Sequence, residues 1–296
     1  MSPAATYVAA ATYVAAAVAS VFWGLTPAAT KLAVGEIDPL TVGVLRTLLA
    51  TCIVLPAGIL LRLPLPRKST DWRLLVYSSV GGFVAFPLLF GLGVARTTTA
   101  HAALILALLP VFTGLFGAIA DRRPPGRNWW IGAAVALVGE VVLIGTRFGY
   151  DDPGVTLEGD LMCVLACIMA SWGYVTGSRV EPSIGTWSTT IWGLSIGGVV
   201  LLPVLGFNLD ATHWGAVTAV GWGSIAYLVI FPTVLAYVAW YWALARGGTE
   251  RIGSTQFAQP VVALAAAVVV MGESFTPPLA FAAVAILAGI VIAQRK

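Results

Sequence analysis

The sequence predicts an all-α polytopic membrane protein, in which ten transmembrane helices form two inverted five-helix repeats around a central cavity. Three observations lead to this fold class: the composition, the number of long apolar runs, and a pattern of turn-forming residues that recurs in the second half. Of the 296 residues, 59% are hydrophobic and 10% are charged, whereas about a quarter of a soluble domain is charged. Because so few polar residues cannot cover a particle in water, we expect the chain to fold in a lipid bilayer.

The composition also excludes several functions. The formal net charge is only +3 and the basic residues lie in short turns, so nucleic acid is not an expected partner. Cys52, Cys163 and Cys167 lie inside apolar runs, which favours packing over a disulfide or a zinc site. The chain has no P-loop, no His-Glu-x-x-His motif and no nucleophile elbow. We therefore expect no ATP hydrolysis, no metal site and no cofactor, and an enzyme is disfavoured.

The first half contains five apolar runs of the length that a membrane span requires, which is about 20 residues. The first run ends before Glu36 and Asp38, and no basic segment precedes it, so we expect a retained helix rather than a secretory signal. Pro64 and Pro66 follow the second run, and the polar turn 121–125 separates the fourth from the fifth. The five runs are residues 11–34, 40–61, 73–94, 98–120 and 129–146.

The longest polar stretch, residues 147–160, is interpreted as an external linker between the two halves. Five further apolar runs follow it, at residues 161–179, 184–205, 219–245, 252–271 and 278–293. Their composition is apolar on all sides and does not alternate, which indicates helices rather than barrel strands. The expected domains are therefore a first five-helix repeat at 11–146 and a second at 161–294.

The distribution of basic residues predicts the orientation. If the N-terminus lies in the cytoplasm, only Lys31, Arg96 and Arg147 fall on the far side, and the other turns place their basic residues on the cytoplasmic side. This is the bias of cytoplasmic loops. We expect a multi-pass protein of the bacterial inner membrane with both termini in the cytoplasm. Because each half has an odd number of spans, the second half enters the membrane in the opposite orientation.

A repeated order of motifs supports an internal duplication. Residues 95–110 and residues 245–260 both begin with Ala-Arg and end with proline. Each copy follows a Phe-Pro pair and precedes a Pro-Pro turn and a matched glycine; these are Phe86-Pro87 and Phe231-Pro232, Pro124-Pro125 and Pro277-Pro278, and Gly139 and Gly289. Two inverted repeats can exchange conformations, so that a cavity between them opens to each side of the membrane in turn.

Three further motifs carry a family resemblance: Trp-Gly in the first helix of each half, proline in the fourth helix of each half, and Gly272-Glu273 after the ninth run. The Trp-Gly pairs are Trp23-Gly24 and Trp172-Gly173. In these residues the chain resembles the drug/metabolite transporter superfamily, and within it the ten-helix EamA-type exporters of amino acids and metabolites. The first half departs from the pattern at Ala120-Asp121, which keeps the acid and loses the glycine.

The resemblance covers residues 11 to 294 and implies a secondary transporter that exports small metabolites by alternating access, with apolar or aromatic amino acids as first candidates. The driving force is either the substrate gradient or exchange with protons, and the protein is a monomer or a homodimer. A second interpretation, efflux of cationic drugs, requires a carboxylate at mid-membrane depth, for which Glu140 is the candidate. A polytopic lipid-modifying enzyme would require an acid–base pair in the cavity, and a scaffold protein is disfavoured by the prolines inside helices.

The candidate substrate-binding residues are polar and aromatic side chains within the spans. An amide is costly against lipid, so Gln256 and Gln259 should face the interior, where they bind a carboxylate or ammonium group or hydrogen-bond to a neighbouring helix. We favour the substrate or gate role. Aromatic rings either line a pocket or pack between helices. The full set is Trp23, Thr26, Tyr77, His101, Trp172, Thr176, Tyr227, Tyr237, Gln256 and Gln259.

Prolines and paired glycines within the spans are the candidate hinges. Each proline removes a backbone donor from its helix, and a broken helix persists in lipid only beside protein or a water-filled cavity. These residues are therefore expected around the central cavity. They are Gly81, Gly82, Pro87, Pro110, Pro232 and Pro260.

Three charged residues in or near the spans have other expected roles. Glu140 is either a proton site or a locally paired acid. Arg46 is expected to form a structural ion pair with Asp38 or Glu36 near the outer face. Glu273 is expected to stabilise the turn after the ninth run.

Overall fold

The computed structural model describes residues 3–145, 154–247 and 258–293, and within these ranges the chain forms helices and turns without a strand. The predicted all-α class is confirmed for this part of the chain. A helix satisfies the hydrogen bonds of its backbone internally, which is why long apolar runs adopt it in the absence of water.

Eight helices precede the linker: α1 (Pro3–Gly24), α2 (Thr26–Val34), α3 (Pro39–Leu60), α4 (Ser69–Ser79), α5 (Phe86–Ala95), α6 (Thr99–Leu106), α7 (Leu109–Asp121) and α8 (Arg127–Gly145). The helices described after it are α9 (Leu157–Ser178), α10 (Glu181–Ile184), α11 (Thr186–Asn208), α12 (Ala219–Ile230), α13 (Ala236–Gly247), α14 (Ala258–Val269) and α15 (Pro277–Ala293). Two π-helical segments, Val80–Ala85 and Phe231–Leu235, join α4 to α5 and α12 to α13.

Within the described ranges, seven helical stretches are long and apolar enough to cross a membrane: Ala10–Val34, Pro39–Leu60, Ser69–Ala95, Thr99–Asp121, Leu157–Ser178, Thr186–Ala211 and Ala219–Trp240. The apolar helices α14 and α15 are shorter. The protein is thus a multi-pass membrane protein, and the count of ten spans and their arrangement as inverted repeats remain predictions.

Four of these stretches are interrupted, and a proline marks each interruption. Pro27, Pro87 and Pro110 are the second residues of α2, α5 and α7, and Pro232 is the second residue of the second π-helical segment. At the start of a helix the amide has no partner within that helix, so a proline costs least there. These four prolines therefore mark where the chain stops one helical segment and begins the next, whereas Pro56 and Pro203 lie inside the continuous helices α3 and α11.

The most extensive helix contacts join a helix before the linker to one after it: α8 to α15, α3 to α11, α5 to α9 and α1 to α13. The pair α8 and α15 meets backbone to backbone, because a Cβ atom on Gly289 would lie 2.5 Å from the carbonyl oxygen of Gly132. The two halves are therefore packed against each other along their whole length and do not form separate bundles.

One end of the bundle, which we call the linker face, carries the turns 35–38, 96–98, 154–156 and 209–218. Side chains tie these turns across the two halves. The amide and hydroxyl of Thr218 donate to the Glu36 carboxylate at 2.6 and 2.7 Å. Asp38 caps the start of α3 by accepting from the Thr41 amide at 2.9 Å, and it also accepts from the Asn208 side chain.

Further bonds at the linker face connect α2, α5 and α9. The Lys31 ammonium donates to the carbonyl oxygens of Val94 and Thr97 at 2.9 and 2.5 Å. The amide and hydroxyl of Thr156 donate to the Arg96 carbonyl oxygen at 3.0 and 2.7 Å. This end of the bundle is therefore held closed by direct hydrogen bonds.

Glu273 caps a helix of the other half. Its two carboxylate oxygens accept from the amides of Thr99 and Ala100, at 2.6 and 2.8 Å, in the first turn of α6. A carboxylate is favourable at a helix N-terminus because it satisfies free amides and complements the helix dipole. The acid thus joins the turn after α14 to the start of α6.

The opposite end, which we call the termini face, carries the turns 61–68, 122–126 and 179–185. The cross-links described there are few. Arg179 pairs with Asp121 at 2.5 Å with both side chains exposed to solvent, and the Trp192 indole donates to the Pro64 carbonyl oxygen at 3.1 Å. An exposed ion pair contributes little stability, so this face is the less firmly closed of the two.

Adjacent glycines in the first π-helical segment test how tightly this segment packs. A Cβ atom on Gly81 would lie 2.5 Å from the Met169 carbonyl oxygen, whereas one on Gly82 meets nothing within 4 Å. We expect Gly81→Ala to destabilise the protein by about 1–3 kcal/mol through overpacking, and Gly82→Ala to be close to neutral. The melting temperatures of both variants are measured in detergent, with size-exclusion chromatography as the readout of the folded protein that remains after heating. Equal melting temperatures for the two variants would contradict this packing.

The bond between Glu36 and Thr218 should depend on pH. The hydrogen bonds from Thr218 hold the pKa of Glu36 below its ordinary value. A group with a lowered pKa stabilises the folded state at neutral pH, and this contribution is lost as the pH falls through that lowered value. We expect hydrogen exchange of residues 217–221, corrected for the intrinsic rate, to increase in acid, and to be raised already at neutral pH in Glu36→Ala.

Residues 179–186 at the termini face provide the internal control for this exchange experiment. Their corrected exchange should not respond to Glu36→Ala. Protection of residues 217–221 that is the same in both proteins at neutral pH would show that Glu36 does not hold this turn.

Candidate functional site

A cavity of about 650 Å³ lies between the interrupted helices of the two halves. Its volume is within the range of small-molecule sites, roughly 300–1,000 Å³. The lining residues are Trp23, Thr26, Arg46, Thr47, Ser78, Gly82, Phe83, Phe86, Pro87, Leu106, Ala107, Leu109, Pro110, Thr113, Gly114, Ala170, Gly173, Tyr174, Leu194, Thr233, Tyr237, Trp240, Gln259, Pro260 and Ile290.

The interruptions supply much of the wall. Gly82 and Phe83 come from the first π-helical segment, and Leu106 to Pro110 come from the break between α6 and α7. A π-helical turn leaves carbonyl oxygens without their usual helical partner. Side chains from the first half donate to these oxygens: Thr47 to Phe83 at 2.9 Å, and Trp23 to Pro232 at 2.9 Å.

Aromatic side chains form one wall. The Trp23 ring meets the Tyr237 ring edge to face at 5.3 Å and the Trp240 ring at 5.5 Å. A hydrogen bond joins Tyr237 to Tyr174 of α9, which also lines the cavity. Edge-to-face pairs at these distances fix ring orientation, so this wall offers a rigid apolar surface with hydroxyl groups at its border.

Arg46 is the one charged side chain among the described lining residues. Its Nε donates to the Thr233 hydroxyl at 3.2 Å, and its guanidinium carbon lies 5.5 Å from the centre of the Phe86 ring. The expected pair with Asp38 or Glu36 is wrong, because those acids are bound at the linker face while Arg46 turns into the cavity. In the described part of the chain, no acidic side chain lies within 4 Å of it.

Most hydroxyl groups around the cavity are already bonded to backbone. Ser78 donates to the Gly173 carbonyl oxygen at 2.9 Å, and Thr233 donates to that of Leu228 at 2.7 Å. The buried Thr113 hydroxyl has no partner among the described residues. The amide of Gln259 likewise makes no hydrogen bond to the described part of the chain. Arg46, Thr113 and Gln259 therefore keep hydrogen-bonding capacity for a ligand.

Four of the ten predicted substrate-binding residues line this cavity: Trp23, Thr26, Tyr237 and Gln259. Gln256 lies outside the described residues. Four of the six predicted hinge residues also line the cavity: Gly82, Pro87, Pro110 and Pro260. The other two are not in the lining: Gly81 packs against α9, and the carbonyl oxygen of Pro232 accepts a hydrogen bond from the Trp23 indole.

The other predicted residues lie outside the cavity and make internal contacts. Tyr77 packs on Trp172, with ring centres 5.4 Å apart, and is 46% exposed on the outside of the bundle. Thr176 donates to carbonyl oxygens of its own helix. Tyr227 donates to the Phe22 carbonyl oxygen at 3.0 Å. Because these groups are directed away from the cavity, their predicted substrate contacts find no support in this geometry.

His101 belongs to a buried cluster near the linker face. Its Nδ1 lies 3.1 Å from the Asp160 carboxylate, which also accepts from the Thr97 hydroxyl at 2.5 Å. Glu140 is 5% exposed, is not among the cavity lining, and has no hydrogen-bond partner in the described ranges for either carboxylate oxygen. The local pairing considered for Glu140 is therefore not found, and its role as a proton site stays a prediction.

Sequence reasoning missed Arg46, Thr113, Tyr174 and Trp240 as cavity residues. The signal for Arg46 was present, since a charge inside a span is costly unless it serves a cavity or a partner. Threonine and aromatic residues are frequent throughout these helices and gave no comparable signal. Among the residues that the structure describes, no group of three or more His, Cys, Asp or Glu side chains is placed to hold a metal ion.

Comparison with known proteins adds independent information. The model of the EamA-like transporter family matches residues 10–145 and, separately, residues 157–294. The uncharacterized transporter YdeK of Bacillus subtilis is 31% identical over 277 residues, which is 93% of each chain.

Two similar proteins carry more specific names. A probable amino-acid metabolite efflux pump of Salmonella typhimurium is 26% identical over 285 residues, covering 92% of this chain and 91% of its own. A probable terminal-alkyne amino-acid exporter of Streptantibioticus cattleyicolor is 26% identical over 235 residues, covering 77% and 75%. A solved crystal structure matches 96% of both chains with a TM-score of 0.64 at 20% identity, a likeness that concerns the fold alone.

Proposed function

Because the chain belongs to the EamA-like transporter family, we propose that it is a secondary exporter of small metabolites, amino acids first among them, in the bacterial inner membrane. The family and the names of the relatives indicate a membrane transporter rather than an enzyme. The observation that carries the proposal is the cavity of about 650 Å³, which is walled by interrupted helices of both family-matched segments.

The proposed mechanism is alternating access between two inverted repeats. The pattern of helix contacts supports this mechanism. A two-fold axis between the halves would place the contact of α1 with α13 on the contact of α9 with α5, and both contacts are present. The same axis would exchange α3 with α11, and α8 with α15, so that each of these two contacts would lie on the axis itself. Two similar halves related in this way can adopt two alternative arrangements, one open to each side.

The present arrangement corresponds to the state open toward the termini face. The linker face is tied by hydrogen bonds on Glu36, Asp38 and Glu273. The residues of α9 that line the cavity, Ala170, Gly173 and Tyr174, lie in the half of that helix that leads to the termini face. With both termini in the cytoplasm, as the basic residues predict, this is the inward-open state, ready to receive a substrate for export.

Efflux of cationic drugs is less well supported. Such a site would place a carboxylate in the cavity, but the charged lining residue is Arg46, and Glu140 lies outside the lining. Transport driven by the substrate gradient and transport driven by proton exchange both remain within the proposal. The buried pair of His101 and Asp160 and the unpartnered Glu140 are the groups on which a proton dependence would rest.

Counterflow in proteoliposomes tests the proposal. We expect labelled leucine or phenylalanine to enter vesicles that are preloaded with the same unlabelled amino acid, with and without a pH gradient. Gln259→Ala should lower this flux by about tenfold, since the Gln259 amide lines the cavity and makes no hydrogen bond to the described part of the chain. Thr176→Val, a control substitution on α9 outside the cavity lining, should leave the flux unchanged. Wild-type protein that gives no flux with any amino acid would contradict the proposed function.

A cross-link at the linker face tests alternating access. The Thr156 amide lies 3.0 Å from the Arg96 carbonyl oxygen, so cysteines at these two positions are within reach of a disulfide. In a Cys52→Ser background, we expect oxidation of Arg96→Cys/Thr156→Cys to stop counterflow and reduction to restore it.

Each single-cysteine variant, treated with the same oxidant, is the control for this cross-link. Full flux through protein that is shown by mass spectrometry to be cross-linked would exclude an opening of the linker face during transport.

A further inference from the structure

We propose that Arg46 is the carboxylate-binding residue of the cavity and restricts its ligands to small molecules that carry a free carboxylate, such as amino acids and simple organic acids. This inference rests on the proposed function in taking the cavity as the substrate site. It adds a ligand class and a residue that recognises it.

The first argument is the absence of a counter-ion. A guanidinium inside a membrane protein is costly unless it is paired or faces water. Arg46 has no carboxylate within 4 Å in the described part of the chain, and the described cavity lining contains no acid. The acids nearest to it in sequence, Glu36 and Asp38, are engaged at the linker face. A ligand carboxylate would supply the missing negative charge.

The second argument is geometric. Of the five N–H donors of a guanidinium, one at Nε is directed to the Thr233 hydroxyl, and the Phe86 ring supports the group from one side. The two terminal nitrogens make no hydrogen bond in the described ranges. They present the planar pair of donors that binds the two oxygens of a carboxylate. The contacts with Thr233 and Phe86 fix the orientation of this fork before a ligand arrives.

The remaining lining completes a site for an amino acid. Trp23 and Trp240 provide an apolar wall for a side chain. The side-chain oxygen of Gln259 accepts no hydrogen bond from the described residues and suits an ammonium group. The same site disfavours a ligand with only a positive charge, because such a ligand meets Arg46 and no lining carboxylate. We therefore expect phenylalanine to be a ligand and phenethylamine, which lacks the carboxylate, not to be one.

A binding assay that does not depend on transport tests this inference. Thr113→Cys in the Cys52→Ser background places a thiol in the lining, and its reaction with methanethiosulfonate reagents is followed by mass spectrometry. We expect 3-phenylpropionate to slow the reaction at least about threefold, and phenethylamine to have no effect. When Arg46→Gln is added, the protection by 3-phenylpropionate should disappear.

Two thiol reagents of opposite charge report the sign of the electrostatic potential in the cavity. Compared with a free thiol in solution, the thiol introduced by Thr113→Cys should favour the anionic sulfonatoethyl reagent over the cationic trimethylammonium-ethyl reagent. Arg46→Gln should reduce this ratio of rates severalfold, and Arg46→Lys should preserve it. An unchanged ratio, or equal protection by the acid and the amine, would overturn the inference even if the fold of every variant is intact.

Counterflow separates failure of this inference from failure of the proposed function. If both hold, Arg46→Gln lowers phenylalanine flux at least about tenfold, and Arg46→Lys recovers part of it because the charge remains. Protection by 3-phenylpropionate without flux of any amino acid would overturn transport and support Arg46 as the binding residue. Flux that Arg46→Gln does not change, with phenethylamine carried as well as phenylalanine, would overturn the role of Arg46 alone.

Discussion

The structure depends on one constraint: in lipid, each backbone amide and carbonyl must find its partner within the protein. Continuous helices meet this requirement, and the four interrupted stretches do not. Their free carbonyl oxygens are satisfied by side chains such as Thr47 and Trp23, which donate to the π-helical segments at Phe83 and Pro232. The interruptions are therefore confined to the interior, and the cavity lies beside them. The same feature that weakens these helices supplies part of the wall of the cavity.

The charged side chains described in the interior occupy two places, the linker face and the cavity. Glu36, Asp38 and Glu273 accept hydrogen bonds from turns and helix starts of the opposite half, and so hold the linker face together. None of these acids is left for Arg46, which enters the cavity with a hydroxyl and an aromatic ring as its neighbours. The cavity therefore keeps a positive charge that no acid in the described part of the chain lies close enough to pair with, and this is the feature on which the proposed recognition of a carboxylate rests.

Particular residues show how far the sequence could lead. The prolines gave candidate positions for breaks, because a residue without an amide proton cannot make the usual helical hydrogen bond. The chain does break at Pro87 and Pro110, whereas Pro56 and Pro203 lie inside the continuous helices α3 and α11. The apolar runs predicted helices, and the cost of an amide in lipid predicted that Gln259 faces inward. Arg46 was expected to pair with Asp38 or Glu36 because all three lie near the predicted outer face. The structure shows that those acids find closer partners across the bundle, in Asn208 and Thr218.

By itself, the sequence determined that this protein is helical and embedded in a membrane, and its prolines marked candidate positions for helix breaks, since these properties follow from composition and from single residues. Which side of each helix faces the cavity was decided only by tertiary packing. Helices that are apolar all round carry no amphipathic pattern to indicate an inner face. Trp23 and Trp172 therefore look equivalent in sequence, yet one lines the cavity while the other packs on Tyr77, because neighbouring helices fix the rotation of each span.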